Sequence, residues 1–128
     1  MPAEGEKHIK EVKGLLYTTE YEFRPGRIRI EGDRIAEVDF STEGELSEVE
    51  RETLVLPGLV DVHFHGAAGY DFCDGTQEAY RAIEAYENIH GITSICPATM
   101  TLPVEQLKQI LTEVSGDKPD SLVGVHLE

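Results

Sequence analysis

The chain lacks the marks of several protein classes. It contains no tryptophan and only two cysteines, Cys73 and Cys96, too few for a disulfide framework. No apolar run approaches the roughly 20 residues that cross a bilayer, and residues 1–14 carry charges where a signal peptide has an apolar core. These absences predict a cytoplasmic protein without a membrane partner, whose cysteines are small buried residues.

Positive charge is also scarce. The chain has 11 Lys and Arg residues against 25 Asp and Glu residues, which gives a net charge of -14. A nucleic-acid site needs clustered basic side chains, and an acidic surface repels phosphates, so we expect no nucleic-acid partner. With 128 residues, 40% of them hydrophobic and 28% charged, the chain is typical of a globular protein that buries a core.

The character of the sequence changes near residue 56. Before that point the chain reads as short strands, with apolar side chains alternating at Ile28, Ile30, Ile35 and Val38. Gly32 and Asp33 have the composition of a two-residue hairpin turn. The acidic, polar stretch 41–53 is typical of a loop. We therefore predict a small, partial N-terminal β domain over residues 1–56.

From residue 57 onward the pattern is strand, helix, strand, helix, strand. The predicted strands cover 59–65, 92–100 and 121–128. Thr76 and Gly91 bound the first predicted helix, whose apolar face holds Ala79, Ala82, Ile83, Tyr86 and Ile89. Pro103 and Gly116 bound the second. This alternation predicts an α/β fold with βαβ units and a parallel sheet over 57–128.

The first of these strands ends in two histidines, His63 and His65. Residues two apart in a strand point to the same face, so the imidazoles project side by side. The third strand ends in Glu128, which reaches the same rim if the two strands lie two places apart in one sheet. Imidazole nitrogens and a carboxylate oxygen are ordinary ligands of Zn²⁺ and related ions. The spacing therefore predicts a metal site, although Glu128 alone is compatible with a solvated carboxylate.

The loop after the histidines is rich in glycine and acidic residues. Gly66 and Gly69 allow positive φ and a close approach of backbone to a ligand. Asp71 and Asp74 are compatible with two roles, as hydrogen-bond partners of the imidazoles or as capping residues of the loop, and we favour capping. His126 is either a substrate contact or an inward structural residue.

Three segments together resemble the N-acetylglucosamine-6-phosphate deacetylases of the amidohydrolase superfamily. They are "LPGLVDVHFHGAAGYD" (56–71), "HGITSICPATMT" (90–101) and "GVHLE" (124–128). The hairpin "GRIRIEGDRIAEVD" is similar to the small N-terminal β domain of that family. The resemblance therefore spans nearly the whole chain, and it implies an N-terminal fragment of such an enzyme.

The resemblance implies a fold and a chemistry. Part of a β-sandwich precedes the first three strands of an incomplete TIM-type (β/α) barrel, which in full takes about 250 residues. A divalent metal, expected to be Zn with Fe, Co or Mn as alternatives, activates water in a cytoplasmic enzyme of amino-sugar metabolism. The products from N-acetylglucosamine 6-phosphate are glucosamine 6-phosphate and acetate.

The resemblance also assigns roles to residues. His63 and His65 match the paired metal-binding histidines of members with two metal sites, and Glu128 matches a glutamate ligand. His126 matches the first residue of the "HLE" motif and is assigned to substrate binding. The family's proton-shuttling aspartate would lie downstream, so no catalytic residue is expected within this chain, and the fragment alone is expected to be inactive.

Other interpretations remain open. The sequence is also compatible with another amidohydrolase, of the dihydroorotase or deaminase kind, with a non-catalytic metal-binding domain of the cupin kind, and with an interaction module. An incomplete parallel sheet leaves one face and both edges uncovered, which favours association. We therefore expect a homo-oligomer, or self-association of the fragment.

Overall fold

A computed structural model describes residues 9–41 and 43–128 of the chain. The first eight residues of the predicted N-terminal domain thus lie outside the described part. The protein is a mixed α/β chain that divides into two compact units, Met1–Pro57 and Gly58–Glu128. Within the described ranges, no helix has the length and apolar character that a membrane crossing requires.

The first unit is built on a mixed sheet. Its strands are β1 (Ile9–Tyr17), β2 (Phe23–Glu31), β3 (Arg34–Asp39) and β4 (Leu54–Val55), in the order β3-β2-β1-β4. The first three strands form an antiparallel meander, and β4 runs parallel to β1. Glu31 pairs with Arg34, and Gly32 has a φ of 63° between them. The predicted two-residue hairpin is confirmed.

The prediction of a loop over 41–53 is wrong for residues 43–45 and 48–52, and residue 42 lies outside the described residues. A 3₁₀ turn covers Glu43–Glu45, and helix α1 covers Glu48–Glu52. The helix begins with a reciprocal capping box: the Ser47 hydroxyl accepts from the Glu50 N–H at 3.3 Å, and the Glu50 carboxylate accepts from the Ser47 N–H at 2.7 Å. A serine followed three residues later by glutamate is a sequence signal for a helix start, and it outweighs the polar composition.

The second unit follows the predicted alternation of strands and helices through its second helix. The strand predicted over 121–128 is not formed, since that segment has only two isolated bridge residues, Leu122 and His126. The elements of this unit are β5 (Leu59–Asp61), the hairpin β6 (Gly66–Ala67) and β7 (Tyr70–Asp71), the 3₁₀ turn Phe72–Asp74, α2 (Gln77–Ile89), β8 (Ile92–Ile95) and α3 (Val104–Gly116). Strand β5 pairs with β8 in parallel, and two parallel bridges, Ile95–Leu122 and Ala98–His126, join the last segment to the same stretch. The helices α2 and α3 do not fit the all-β cupin alternative.

The strands are shorter than predicted. Strand β5 ends at Asp61, so His63 and His65 follow the strand instead of lying within it. The Asp61 carboxylate accepts from the His63 N–H at 3.1 Å and so takes a donor that a regular ladder would use. Likewise β8 ends at Ile95, shortly before Pro97, which has no N–H to donate.

The helix boundaries agree with the sequence signals, whereas the buried face of α2 differs from the predicted one. Thr76 caps α2 by accepting from the Ala79 N–H at 3.2 Å, and Gly91 follows the helix with a φ of 81°. The buried residues of α2 are Ala79, Tyr80, Ile83 and Glu87, whereas the predicted core residues Tyr86 and Ile89 are exposed. The Tyr80 hydroxyl explains part of this rotation, since it donates to the Ile110 carbonyl of α3 at 3.1 Å.

The half-buried carboxylate of Glu84 links α2 to the last segment of the chain, residues 121–128, through hydrogen bonds. It accepts from the Ser121 N–H at 2.9 Å and from the Ser121 hydroxyl at 2.8 Å, and it pairs with Arg81 at 3.3 Å. Burial raises the pKa of Glu84, but the hydrogen bonds from Ser121 and Arg81 outweigh it, so the net pKa lies below the ordinary value of 4.5. The carboxylate therefore stabilises the fold when it is ionised.

Replacing this carboxylate is expected to destabilise the second unit. Glu84→Ala should lower the free energy of unfolding by about 2 kcal/mol at pH 7, because charge-assisted hydrogen bonds contribute about 1.5–3 kcal/mol. The folded pKa is depressed, so this contribution is present above pH 4.5 and is lost as pH falls through the folded pKa. Urea unfolding at pH 7 and pH 3 measures it, with the exposed Glu105→Ala as control. A loss that is equal at both pH values would contradict the assignment.

Candidate metal centre

The two histidines are placed by the residue between them. Phe64 packs against the core of the second unit, while His63 is exposed and His65 is half-buried. The Ala98 N–H donates to the Phe64 carbonyl at 2.7 Å, and the Cys96 N–H donates to the Asp61 carbonyl at 2.8 Å. The stretch after β5 is therefore fixed to the stretch after β8, although neither is regular strand.

Glu128 meets the histidine pair. Its Oε2 lies 3.2 Å from His65 Nε2, and one ligand atom from each of His63, His65 and Glu128 lies within 4.8 Å of the others. The rings of His63 and His65 are edge to face, with centroids 5.4 Å apart. The structure thus brings together the three residues that the sequence predicts as ligands, from segments at the two ends of the second unit.

The donor set and spacing fit a divalent ion. Two atoms that bind one tetrahedral ion at about 2.1 Å lie about 3.4 Å apart. The three atoms here lie within 4.8 Å of one another, so each pair needs to close by about 1.4 Å or less. Two imidazoles and one carboxylate match the ligands of catalytic zinc sites, which leave a fourth position open. His63 and Glu128 are exposed, so solvent reaches this group.

One atom of the site lacks a partner. The Nδ1 of His65 is buried, and no residue in the described ranges makes a hydrogen bond to it. When Nε2 binds a metal, the neutral ring carries its proton on Nδ1, and metal-binding histidines ordinarily donate that proton to an acceptor. A complete site therefore requires a water or another part of the protein beside this ring.

His126 lies next to the ligand group without belonging to it. Its ring packs edge to face on His63, with centroids 4.8 Å apart. Its backbone is fixed on both sides, since its N–H donates to the Pro97 carbonyl at 2.8 Å and its carbonyl accepts from the Thr99 N–H at 2.9 Å. The exposed imidazole is thus held at the edge of the candidate centre.

The loop after His65 closes on itself. A Cβ at Gly66 would lie 2.1 Å from the Tyr70 carbonyl oxygen, and Gly69 has a φ of 84°. The positive φ expected in this loop is found at Gly69 but not at Gly66. The close approach at Gly66 is to the chain's own backbone and not to a ligand.

The acidic residues of this loop are caps, as favoured from the sequence. The Asp71 carboxylate accepts from the Cys73 N–H at 2.7 Å, and the Asp74 carboxylate accepts from the Asp71 N–H at 2.9 Å. Cys73 is half-buried, and burial raises the pKa of its thiol. Its sulfur accepts from the Met100 N–H at 3.2 Å, which makes it a structural residue of the loop.

Comparison with curated proteins confirms the resemblance to N-acetylglucosamine-6-phosphate deacetylases. No family model matches the chain. The Vibrio furnissii enzyme is 32% identical over 73 residues, 57% of this chain and 18% of that protein. The human enzyme is 25% identical over 141 aligned positions, 97% of this chain and 34% of that protein. An Escherichia coli O157:H7 N-acetylgalactosamine-6-phosphate deacetylase is 27% identical, over 65% of this chain and 24% of that protein.

Solved structures give the same relationship. The Thermotoga maritima N-acetylglucosamine-6-phosphate deacetylase is 27% identical with a TM-score of 0.73, over 92% of this chain and 31% of that one. A mutant of the Mycobacterium smegmatis N-acetyl-D-glucosamine-6-phosphate deacetylase, in complex with N-acetyl-D-glucosamine-6-phosphate, shares the fold with a TM-score of 0.70 and 22% identity. The match covers 93% of this chain and 32% of that one. The chain thus spans about a fifth to a third of the length of the relatives described here.

Proposed function

We propose that the chain is the N-terminal part of a metal-dependent hydrolase that removes the acetyl group from N-acetylglucosamine 6-phosphate. The observation that carries this proposal is the convergence of His63, His65 and Glu128. The relatives support the substrate class, because the curated relatives described above are named as amino-sugar phosphate deacetylases.

We assign two incomplete domains within this enzyme. Residues 1–56 form part of a small β domain, and residues 57–128 form the start of a (β/α) barrel. Supporting the barrel assignment, β5, β8 and the segment 122–126 lie side by side in parallel, with α2 and α3 as the crossovers. In a barrel of this kind the active site lies at the carboxyl ends of the strands, where the ligand group is found.

In this proposal the chain's residues would hold the ion and orient the substrate. His63, His65 and Glu128 provide two neutral nitrogens and one negative oxygen, a set that suits Zn²⁺ best and also accommodates Fe, Co or Mn. A divalent ion in this site supplies a Lewis acid and a water of lowered pKa. The exposed His126 contacts the sugar phosphate from beside His63. Proton transfer to the departing amine is assigned to an aspartate outside these residues.

The proposal is tested by an activity assay on the parent enzyme. Hydrolysis breaks the acetamide C–N bond, and water supplies the hydroxyl of the acid and the proton of the amine. We expect acetate release from N-acetylglucosamine 6-phosphate, and its loss in His63→Ala/His65→Ala. N-acetylgalactosamine 6-phosphate and unphosphorylated N-acetylglucosamine serve as comparison substrates, and residues 1–128 alone should release no acetate. Undiminished release by the double variant would remove the histidines from the mechanism.

We also propose that residues 1–128 associate with copies of themselves. Several large apolar side chains of the second unit are more than half exposed, namely Leu59, Val60, Val62, Val123 and Leu127. Exposed apolar side chains gain free energy when they are buried at an interface. Sedimentation velocity over a tenfold concentration range should show a rising mean mass. A concentration-independent monomer would contradict this expectation.

A further inference from the structure

Thr99 is a fully buried polar residue beside the candidate centre. Its exposed fraction is 0%, and it lies in the stretch that pairs with the last segment of the chain. The His126 N–H donates to the Pro97 carbonyl at 2.8 Å, and the Thr99 N–H donates to the His126 carbonyl at 2.9 Å. These two bonds form one repeat of a parallel ladder.

The next bond departs from that ladder. A regular parallel ladder would continue with the Glu128 N–H donating to the backbone carbonyl of Thr99. Instead, the Glu128 N–H donates to the Thr99 hydroxyl, at 3.4 Å. The acceptor is therefore a side chain instead of the backbone, and the donor is the same residue whose carboxylate lies beside His65.

We infer that Thr99 is a positioning residue for the proposed metal site, whose hydroxyl fixes the backbone of Glu128 so that its carboxylate faces His63 and His65. This inference rests on the proposed function. The Glu128 side chain is 48% exposed and gains little from packing, so its direction depends on where its backbone is held. Thr99 suits this role because burial and β-branching restrict its χ1 angle and hence the position of its hydroxyl.

A role in packing alone makes a different prediction from a role through the hydroxyl. Thr99→Val keeps the shape of the buried side chain and removes the acceptor, whereas Thr99→Ser keeps the acceptor and removes a methyl group. Replacing a residue that hydrogen-bonds to a metal ligand typically lowers metal affinity by 10- to 100-fold. The hydroxyl role therefore predicts that valine weakens metal binding and that serine preserves it.

Zn²⁺ titration of residues 1–128 by calorimetry tests this inference. We expect Thr99→Val to weaken Zn²⁺ binding by about 10-fold, the low end for an outer partner, and Thr99→Ser to stay within about threefold of the unchanged chain. The Glu128→Ala background removes the side-chain oxygen and keeps the backbone N–H that Thr99 accepts from. There Thr99→Val should change the residual affinity by less than about twofold, since its effect passes through the missing carboxylate. Metal-free thermal unfolding of each variant measures any general loss of stability.

The outcomes separate the two proposals. The role of Thr99 would be overturned by any of three results. Thr99→Val could bind Zn²⁺ as tightly as the unchanged chain, Thr99→Ser could weaken binding as much as Thr99→Val, or Thr99→Val could weaken binding equally with and without the Glu128 carboxylate. The metal site would still stand if His63→Ala/His65→Ala abolishes binding. Equal binding by the unchanged chain and the histidine variant would overturn the metal site, and the role of Thr99 with it.

Discussion

Zn²⁺ binding to residues 1–128 is expected to fall at least about 100-fold when His63 and His65 are both replaced by alanine, because a single carboxylate remains from a set of three ligands. Calorimetry at pH 7.5 in a non-coordinating buffer should show about one ion per unchanged chain. Both histidines lie after β5, and neither belongs to the hydrophobic core cluster. The double variant should therefore keep its circular dichroism spectrum while it loses the ion.

His90→Ala is the matched control for this experiment. His90 is an exposed histidine at the end of α2, where its Nδ1 lies 2.8 Å from the Tyr86 carbonyl oxygen. It lies outside the ligand group, so its replacement should leave Zn²⁺ affinity unchanged. Equal binding by the double variant and the unchanged chain would remove the assignment of the pair. Absence of binding by the unchanged chain would mean that three ligands do not suffice without further residues.

Gly66→Ala should have the second largest effect, on both folding and metal binding. The added Cβ would lie 2.1 Å from the Tyr70 carbonyl oxygen and 2.9 Å from the Asp71 Cα, which are backbone atoms that cannot rotate away. We expect a loss of about 2–3 kcal/mol in the free energy of unfolding, as for other overpacked sites. Zn²⁺ binding should weaken as well, because the hairpin is closed by the Phe72 N–H donating to the His65 carbonyl at 2.7 Å.

Gly116→Ala provides the comparison for this substitution. Gly116 is the last residue of α3, and an added Cβ meets no atom within 4 Å. Its replacement should change stability by no more than about 0.5 kcal/mol and leave the ion bound. Thermal unfolding followed at 222 nm measures both variants. If Gly66→Ala unfolds at the same temperature as Gly116→Ala, the hairpin tolerates the methyl group, and the close approach carries no constraint.

The sequence correctly predicted turns and helix ends, which depend on residues close together in the chain. The hairpin at Gly32, the cap at Thr76 and the end at Gly91 each depend on one residue's hydrogen bond or permitted φ, which is visible in the sequence. The proximity of His63, His65 and Glu128 was also expected from the βαβ pattern, although the histidines follow β5 instead of lying within it as strand periodicity predicted.

Features that depend on distant partners were not predictable in this way. The buried face of α2 rotates toward Tyr80 because its hydroxyl finds a carbonyl 30 positions away, on α3. Strand β5 ends at Asp61 because a side chain takes a backbone donor, and periodicity carries no information about that choice. The role proposed for Thr99 has no sequence signal either, because a threonine is ordinary in a predicted strand and its contact with the Glu128 N–H depends on the fold.

The distance along the chain between the ligands has a consequence for folding. His65 precedes α2, β8 and α3, and Glu128 follows them, so the group exists only when all of these elements are in place. An ion that binds this group acts as a non-covalent cross-link between the ends of a long loop. Folding has already brought these ends together, so the ion does not have to overcome the entropy cost of closing the loop. If the ion binds as proposed, it adds to the stability of the folded unit by mass action, so we expect added Zn²⁺ to raise the unfolding temperature and a chelator to return it to the metal-free value.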